Sequence, residues 1–551
     1  MAARAPRTHL PTHEVTNQPP LLEDYNLFET DLPLQEAFAR EGASTATATV
    51  ATFGATLGSE CLLKMGRQAN NNPPSLQTFD RFGHRVDEVN FDPAYHQLMA
   101  LGKEAGITGV AWGEAPVKGH VTHAALQYLL TQTEPGVCCP LCMTYAAVPV
   151  LRQSPELAAR WEPGLTAPHY DPRSIPAAEK KGLTLGMAMT EKQGGADVRS
   201  NTTTARQLSG DDYELTGHKW FCSAPMSDGF LTLAHTEGGQ SCFLVPRWRP
   251  DGTRNPFLIQ RLKDKLGNRA NASSEIEYND TFGTLVGEEG RGVKTIIEMV
   301  HHTRLDCMVA ATGLMRQAVA QAVHHAHHRS AFGKRLADHD LMQNVLADLA
   351  LEVEASVALT FRIARSYDEG HNDPAAKRLS RLAVAVGKYW SNKRIIPVIG
   401  EALECHGGAG YVEEGPMPWL YREAPLNGIW EGSGNVICLD VLRALKRDPD
   451  SVPLLLNEIG AARGANRHLD ATLQLLETEL RSPEGAEARA RHLTELLAKA
   501  LQASLLIQHA SNPIADAFCE SRLGGRWGSA FGTLQDPTVF PTLIERARPQ
   551  S

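Results

Sequence analysis

The sequence contains no complete glycine-rich nucleotide-binding motif. Neither G-x-G-x-x-G nor G-x-x-x-x-G-K-[ST] occurs in its 551 residues. The first motif places a pyrophosphate at the start of a Rossmann helix, and the second cradles phosphates in a P-loop. A dinucleotide, if one is bound, must therefore be held by a different arrangement of the chain.

Three further absences limit the class of protein. No window offers eighteen uncharged apolar residues, and the first residues lack the apolar core of a signal peptide, so we expect neither a membrane span nor secretion. Ten cysteines spread over this length are not a disulfide framework. The net charge of −9 gives no global attraction for nucleic acid or for an anionic membrane. A cytoplasmic protein is the expectation.

The composition is that of a globular protein with several domains. Hydrophobic residues make up 42% and charged residues 21% of the chain. A chain of this length is too long to fold around a single hydrophobic core, so about two to four domains are expected. Residues 1–25 are rich in Pro and Thr and predict an extended arm, either disordered or laid across a neighbouring subunit.

The hydrophobic periodicity changes twice along the chain. It is mostly helical, then strand-like, then helical again, over residues 34–160, 182–286 and 290–446. A proline-bounded segment at 449–453 precedes a last helical region. The pattern predicts a multidomain α+β protein with domains at residues 1–181, 182–288, 289–449 and 450–551.

One carboxylate stands out in the stretch from Tyr421 to Asn435. Glu431 lies between apolar Ile429 and Trp430 and a small Gly-Ser-Gly run, just before a predicted helix. Apolar neighbours raise the pKa of a carboxylate toward neutrality, which suits a general base. A helix-capping loop with an incidental glutamate is the alternative.

Two other stretches have the composition of a cofactor site. The segment 187–198 offers a hydroxyl and two adjacent glycines after a strand-like start, which suits a heteroatom ring or a pyrophosphate, although a plain turn fits equally. In the segment 217–225, Trp220 could stack on a planar cofactor and Ser223 could hydrogen-bond it. A tryptophan packed in the core of the sheet is the alternative.

Two motifs with metal or thiol chemistry are read as structural. Cys139 and Cys142 form a lone C-x-x-C, and without a second pair a zinc ribbon is not expected. His324 and His328 lie one helical turn apart, but no carboxylate completes a metal site in sequence. We therefore expect no metal.

Six motifs in a fixed order carry a resemblance to a known family. They are Met189-Thr-Glu…Gly-Gly-Ala-Asp-Val198, Gly217-His-Lys-Trp-Phe-Cys-Ser223, Lys265-Leu-Gly-Asn-Arg-Ala-Asn-Ala-Ser273, Arg329-Ser-Ala-Phe-Gly333, His406-Gly-Gly-Ala-Gly-Tyr411 and Trp430-Glu-Gly-Ser-Gly434. From about residue 36 to 446 the chain resembles the acyl-CoA dehydrogenase flavoprotein superfamily. Within it, the chain is most similar to the AidB branch, the flavoproteins of the bacterial response to DNA alkylation.

The resemblance implies an acyl-CoA dehydrogenase fold with a helical N-terminal domain, a β-barrel-like middle domain and a helical C-terminal domain, followed by an extra helical region. It implies FAD bound between the middle and C-terminal domains of a homotetramer, where Arg329 and Phe332 reach the FAD of a neighbouring subunit. Glu431 falls on the family's catalytic base, which removes the α-proton of an acyl thioester while the β-hydride passes to the flavin.

The resemblance also implies a set of cofactor contacts. The predicted FAD-binding residues are Met187, Met189, Thr190, Gly194, Gly195, Ala196, Trp220, Phe221, Cys222, Ser223, Arg329, Phe332, Gly407, Gly408, Trp430, Gly432, Ser433, Gly434 and Asn435. Ala196 stands where many relatives place a serine on the cofactor phosphates, so we expect weaker FAD binding. Asn435 and Cys438 stand where many dehydrogenases have Gln and Arg, and a polar or narrowed pocket would disfavour acyl-CoA.

The C-terminal region corresponds to the part of the AidB branch that binds duplex DNA. Residues 451–551 carry ten basic residues against eleven acidic ones, a net charge of −1. Arg522 and Arg526, four residues apart on a predicted helix, are the expected phosphate contacts. A solvated helix face is the alternative.

Together these features predict a FAD-containing protein of the DNA alkylation response that binds duplex DNA and has weak dehydrogenase activity. A genuine acyl-CoA dehydrogenase, for example one acting on isovaleryl-CoA, is the alternative. Oxidation of a small nitro or alkylated compound is disfavoured, because the related nitroalkane oxidases use Asp where this chain has Glu431.

Overall fold

The computed structural model describes residues 6–113, 119–482 and 484–549, so the first five residues of the predicted arm lie outside the described residues. The helices are α1 (Leu32–Arg40), α2 (Thr47–Leu57), α3 (Glu60–Asn71), α4 (Pro93–Glu104), α5 (Gly119–Thr133), α6 (Pro135–Leu151), α7 (Pro155–Thr166), α8 (Gly292–His328), α9 (Asp340–Glu369), α10 (Pro374–Glu404), α11 (Met417–Glu423), α12 (Gly434–Arg447), α13 (Ser451–Gly460), α14 (Arg467–Arg481), α15 (Ala486–His509), α16 (Asn512–Phe518) and α17 (Phe540–Ala547). The strands are β1 (Ser75–Phe79), β2 (Arg85–Asn90), β3 (Leu185–Ala188), β4 (Thr204–Ser209), β5 (Asp212–Ser223), β6 (Gly229–Thr236), β7 (Gly239–Pro246), β8 (Phe257–Leu262), β9 (Ser273–Val286), β10 (Ser330–Ala331) and β11 (Lys334–Arg335).

The N-terminal part is helical, as predicted, but it also holds a two-stranded hairpin. Helices α5 and α6 are buried along almost their whole length, because apolar side chains surround them on every face. Strands β1 and β2 pair antiparallel after the break at Asn70–Pro74. Their residues are mostly half-exposed and polar, so no alternating apolar pattern predicted this hairpin.

The middle part forms a closed ring of strands. Strand β6 pairs with β4, β4 with β5, β5 with β9, β9 with β7, and β7 returns to β6. Strands β3 and β8 add to this ring at β6 and β9. Closure removes the free edges of the sheet, and the apolar side chains fill its interior. The β-barrel-like arrangement expected for this part is therefore observed.

Three long helices dominate the second helical part. Helices α8, α9 and α10 pack against one another and against α5, α6 and α12. The last region, α13 to α17, packs on α9, α10 and α12 and shares one continuous apolar core with them. Within the described residues, no helix is long and apolar enough to cross a membrane, and no group of three potential ligands could hold a metal ion.

The predicted helix that was to carry both Arg522 and Arg526 ends between them. A π-helical turn spans Cys519–Leu523, and Gly524 and Gly525 stop it, with Gly525 at a φ of +70°. Arg526 consequently lies in the following loop. The expectation of an i, i+4 pair on one helix face is wrong.

Candidate active site

Glu431 sits in a strained turn that three cationic contacts hold in place. Its φ is +57°, a left-handed conformation that costs free energy in a residue with a side chain. Lys388 Nζ of α10 donates to the carbonyls of Trp430 and Gly432 at 2.8 and 2.5 Å. Arg304 Nε of α8 donates to the carbonyl of Glu431 at 3.2 Å. Two buried helices thus fix the backbone at all three positions.

The Glu431 carboxyl group is shielded from water and only partly satisfied. Its Oε2 is buried and has no hydrogen-bond partner among the described residues. Burial raises the pKa of Glu431, while the Thr303 hydroxyl and the charges of Lys388 and Arg304 act in the opposite direction. A fixed carboxylate with a raised pKa and a free oxygen atom can accept a proton from a bound substrate.

The charge of Arg304 is balanced away from Glu431. Arg304 Nη1 lies 2.6 Å from Asp440 Oδ2 on α12, and Arg381 lies 3.1 Å from the other oxygen atom of Asp440. Burial alone would raise the pKa of Asp440, but the two guanidinium groups lower it to about 2. Asp440 therefore stays ionised and pairs with Arg304, which limits the effect of Arg304 on the pKa of Glu431.

Strand β5 presents Phe221 and Ser223 to the site. Phe221 is 49% exposed, and Ser223 Oγ lies 3.1 Å from Ser273 Oγ at the start of β9. Trp220 is half-buried, and Lys263 Nζ sits 3.3 Å from the centre of its ring and 4.6 Å from the centre of the Phe221 ring. The Cys222 thiol is fully buried in the interior of the barrel, so it does not face a ligand. Phe221 is the more exposed of the two predicted rings, so we expect stacking there rather than on Trp220.

The loop after β3 is anchored by Glu191. The Glu191 carboxylate accepts hydrogen bonds from Lys219 Nζ at 2.8 Å, from the Thr202 amide at 2.6 Å and from Thr203 Oγ1 at 2.6 Å. Burial opposes the ionisation of Glu191, but these donors hold its pKa well below the usual range. The buried pair therefore fixes the start of the loop.

The glycines of this loop allow it to fold closely on itself. A Cβ atom at Gly195 would lie 2.9 Å from Thr190 Oγ1, which is closer than side chains approach one another. Gly195 and Ala196 remain exposed, with main-chain donors available to a ligand. Met187, Met189 and Trp430 pack against one apolar cluster that includes residues of α6, so this loop and the Glu431 turn lie close together.

The remaining predicted residues near Glu431 lie at the start of α12. Ser433 precedes the helix without capping it through its side chain. Asn435 Oδ1 accepts a hydrogen bond from Arg491 Nε of α15 at 2.9 Å. A Cβ atom at Gly434 would lie 3.1 Å from Lys393 and 3.2 Å from Arg491. The extra C-terminal region thus reaches the predicted cofactor site through Arg491. No motif in the sequence predicted this contact.

Three family profiles match the chain in order. They are the adaptive response protein AidB N-terminal domain over residues 17–172, the acyl-CoA dehydrogenase middle domain over residues 186–281 and the acyl-CoA dehydrogenase C-terminal domain over residues 290–446. The putative acyl-CoA dehydrogenase AidB of Escherichia coli K12 is 43% identical over 522 residues, which cover 94% of this chain and 96% of that protein. The chain belongs to the acyl-CoA dehydrogenase family, in its AidB branch.

Two solved structures of this family share the fold. Caenorhabditis elegans ACDH-11 in complex with C11-CoA has a TM-score of 0.84 and 27% identity, and the match covers 95% of each chain. An acyl-CoA dehydrogenase from Bacillus anthracis complexed with FAD has a TM-score of 0.70 at 16% identity, over 92% of each chain, which shows the fold alone. The predicted acyl-CoA dehydrogenase fold is confirmed.

The gathered residues fit a planar cofactor with phosphate groups, as expected for this family. Phe221 offers an exposed ring, Ser223 a hydroxyl, and Gly195 and Ala196 exposed main chain. The cations Lys393 and Arg491 stand at the start of α12, where they could balance phosphate charge. Glu431 Oε2 has no hydrogen-bond partner among the described residues.

Four predicted cofactor residues lie away from this site within the subunit: Arg329, Phe332, Gly407 and Gly408. Arg329 follows α8, 25 residues after Arg304, and a rise of 1.5 Å per residue separates them by about 37 Å. Phe332 is 97% exposed at the tip of the β10–β11 hairpin. The rings of His325 and His406 contact each other with centroids 4.6 Å apart, so Gly407 and Gly408 lie at the same end of α8. A role for these residues at a cofactor needs a second subunit.

The two predicted DNA contacts are both paired with carboxylates. Arg522 is 5% exposed, and its guanidinium group lies 2.6 Å from Asp348 and 3.0 Å from Glu352. Such a buried arginine is not available to a phosphate, so the expectation for Arg522 is wrong. Arg526 is exposed and pairs with Glu520 at 2.5 Å. It remains accessible from solvent.

Proposed function

We propose that this AidB-like protein is a FAD-dependent dehydrogenase of acyl-CoA thioesters, with Glu431 as the base that removes the α-proton. The observation that supports the proposal is the Glu431 carboxyl group, which combines burial, a raised pKa and an oxygen atom without a protein partner. A proton from a bound substrate would supply the missing contact. The match to the acyl-CoA dehydrogenase C-terminal domain supports FAD as the cofactor, and the likeness to the C11-CoA complex of ACDH-11 supports an acyl-CoA ligand.

Each part of the site has a separate task in this proposal. FAD, when bound, supplies the acceptor for the β-hydride. Lys388 and Arg304 hold the Glu431 turn, so the carboxylate is already oriented before the proton moves. Glu431 Oε2 takes the α-proton, and its raised pKa makes it a stronger base than an exposed glutamate. Phe221 and Ser223 orient the flavin from the barrel side.

The geometry favours a working dehydrogenase over the weak activity expected from the sequence. Glu431 occupies a strained conformation that three hydrogen bonds maintain. A residue kept in such a conformation, with an unpaired carboxylate oxygen, destabilises the folded state and so lowers the free energy of unfolding. Selection for a working base accounts for this cost, whereas a vestigial site would have no use for it.

Anaerobic titration of the FAD-loaded protein with a panel of acyl-CoA esters of graded chain length tests the proposal. We expect one ester to bleach the flavin absorbance, and Glu431→Gln to lower the bleaching rate by at least about 10³-fold. Glu401→Gln is the matched control, since Glu401 on α10 also has a pKa raised by burial but lies outside the site. Absence of bleaching across the panel would refute the proposal.

We further propose a cytoplasmic homotetramer in which Arg329 and Phe332 complete the FAD site of a neighbour. Support comes from the distance between the two ends of α8 and from the large exposed apolar residues at its far end, Phe332, Leu341 and Tyr411. Analytical ultracentrifugation should show a tetramer. Phe332→Ala should lower FAD retention, whereas a monomer with full FAD content would contradict this proposal.

A second candidate function is duplex DNA binding during the adaptive response to alkylation. The match to the adaptive response AidB N-terminal domain supports it, and so does the exposed Arg526 of the C-terminal region. Affinity of the full chain for a 30-bp duplex should fall steeply with salt, and Arg526→Glu should weaken it. Affinity in low salt no greater than that of bovine serum albumin would refute this candidate.

A further inference from the structure

Asn271 is a buried amide in the candidate site to which the proposed chemistry gives no task. The residue is 0% exposed, and neither Oδ1 nor Nδ2 has a hydrogen-bond partner among the described residues. Its main chain, by contrast, is fixed: the amide donates to Asn268 O at 3.2 Å, and the carbonyl accepts from Lys265 Nζ at 2.5 Å. The isolation of the side chain is therefore not the result of a loose segment.

Asn271 lies next to the residues that join β5 and β9. It stands in a bend two residues before Ser273, the first residue of β9. Ser273 Oγ contacts Ser223 Oγ at 3.1 Å, and the Ala224 amide donates to the carbonyl of Ala272 at 2.8 Å. The end of β5 and the start of β9 thus hold Asn271 beside the face that carries Ser223.

The group that faces the Asn271 amide from α6 is a poor partner for it. The Cys139 thiol lies beside Asn271 and Ser223, and Glu431 is close enough to contribute to raising its pKa. Burial raises the pKa of Cys139 to about 12, so this side chain stays a neutral thiol. A thiol is a weak donor and a weak acceptor, and it leaves most of the hydrogen-bonding capacity of an amide unused.

We propose that Asn271 is a specificity-determining residue whose amide hydrogen-bonds a polar substituent on the acyl group of the substrate. The inference rests on the proposed function and narrows its substrate class. The substrate is an acyl-CoA thioester that carries a hydroxyl, oxo or amide group near the carbon atoms beside Glu431. An unsubstituted alkyl chain would leave the Asn271 amide without a partner in the complex, and discrimination follows from that loss.

The first experiment measures the cost of the isolated amide in the ligand-free protein. Asn271→Leu replaces it by an apolar side chain of similar size, and we expect the melting temperature to rise, because no hydrogen bond is lost. Asn255→Leu is the matched control in the same domain. Asn255 is buried and bonded to Pro246 O, Phe282 O and the Phe282 amide, so its replacement should lower the melting temperature. A fall of similar size in both variants would show a structural role for Asn271 and overturn the proposal.

The second experiment measures discrimination by isothermal titration calorimetry. Butyryl-CoA is compared with its 2-, 3- and 4-hydroxy forms. The FAD-loaded wild type should bind at least one hydroxy ester about fivefold more tightly than butyryl-CoA, the effect of one net hydrogen bond. Asn271→Leu should reduce this preference to less than about twofold. Asn271→Ala, which cannot overpack the site, should do the same.

The remaining outcomes separate this inference from the proposed function. Equal binding of all four esters by the wild type, or a preference that survives in both variants, overturns the role of Asn271 alone. A loss of FAD retention in both variants with an unchanged ester preference means that the partner is the flavin, and it also overturns the inference. Failure of the wild type to bind any of the esters counts against the proposed function itself and removes the substrate class with it.

Discussion

Lys388 holds the main chain on both sides of Glu431, since its ammonium group donates to the carbonyls of Trp430 and Gly432 at 2.8 and 2.5 Å. Burial lowers the pKa of Lys388 to about 8. The contact between α10 and the catalytic turn is therefore itself titratable. At neutral pH the protonated form dominates and the turn is held.

Replacing Lys388 should misplace the base without removing it. Lys388→Met keeps the length of the side chain but leaves both carbonyls without a donor, so we expect the flavin-reduction rate to fall about 10- to 100-fold. Stopped-flow absorbance measures this rate. Lys377→Met, on an exposed face of the same helix, should leave it unchanged. In the wild type the rate should also decline above about pH 8, as Lys388 loses its proton. An unaltered rate in Lys388→Met would show that the clamp has no catalytic role.

The raised pKa of Glu431 should be visible in the pH dependence of stability. A carboxyl group whose pKa is higher in the folded state keeps its proton more strongly there, so it contributes stability at low pH and loses that contribution as pH rises through the folded pKa. Glu431→Gln does not titrate. Its melting temperature should therefore match that of the wild type near pH 4.5 and exceed it increasingly toward pH 8. Thermal melts of both proteins between pH 4.5 and pH 8 test this expectation. A difference in melting temperature that does not change with pH would contradict the raised pKa of Glu431.

The position of Glu431 could be predicted from the sequence, but its supports could not. Ile429, Trp430 and the glycines that follow are adjacent in the chain, so their effect on the carboxylate is local. Arg304 and Lys388 lie more than forty positions away, inside long helices that are buried over most of their length. The packing of α8 against α10 brings Arg304 and Lys388 to the turn. The spacing of residues along the chain does not predict this packing.

Two other features that the sequence did not predict have a local cause. A shift in register between Lys219 and Cys222 interrupts the pairing of β5 with β9 and decides which side chains face outward. Composition alone favoured Trp220, the larger ring. The spacing of Arg522 and Arg526 suggested one helix face, but this required the helix to continue through Gly524 and Gly525. The carboxylates that bury Arg522 come from α9, far along the sequence.

Phe221, rather than Trp220, should form the stacking surface for FAD. Phe221→Ala removes an exposed ring beside Ser223, and the loss of one aromatic stacking contact, ~0.5–1.5 kcal/mol, weakens FAD binding about two- to tenfold. Trp220→Ala mainly removes the contact with Lys263, so its effect on FAD affinity should be less than about twofold. Fluorescence titration of the apoprotein with FAD measures both. A larger loss of affinity in Trp220→Ala would restore the original assignment.

The buried pair of Glu191 and Lys219 should control both folding and FAD retention. Glu191→Gln leaves the Lys219 ammonium group without its counter-charge in the barrel wall, and breaking a buried pair in this way costs ~3–5 kcal/mol. Urea denaturation should show this loss, and the purified variant should contain less FAD because the 187–198 loop loses its anchor. The double variant Glu191→Gln, Lys219→Met should recover part of the stability. A single variant within about 1 kcal/mol of the wild type would be inconsistent with this account.

Arg522 should behave as a structural residue and Arg526 as a surface residue. Arg522→Met removes a positive charge that balances the buried carboxylates of Asp348 and Glu352. We therefore expect a loss of ~3–5 kcal/mol in the free energy of unfolding. Arg526→Met breaks an exposed pair with Glu520, which is worth at most about 1 kcal/mol. Any effect of Arg522→Met on DNA affinity should therefore appear only under conditions where the variant has begun to unfold. Lower DNA affinity in a fully folded Arg522→Met protein, checked by circular dichroism at the same temperature, would instead place this guanidinium group at the phosphate backbone.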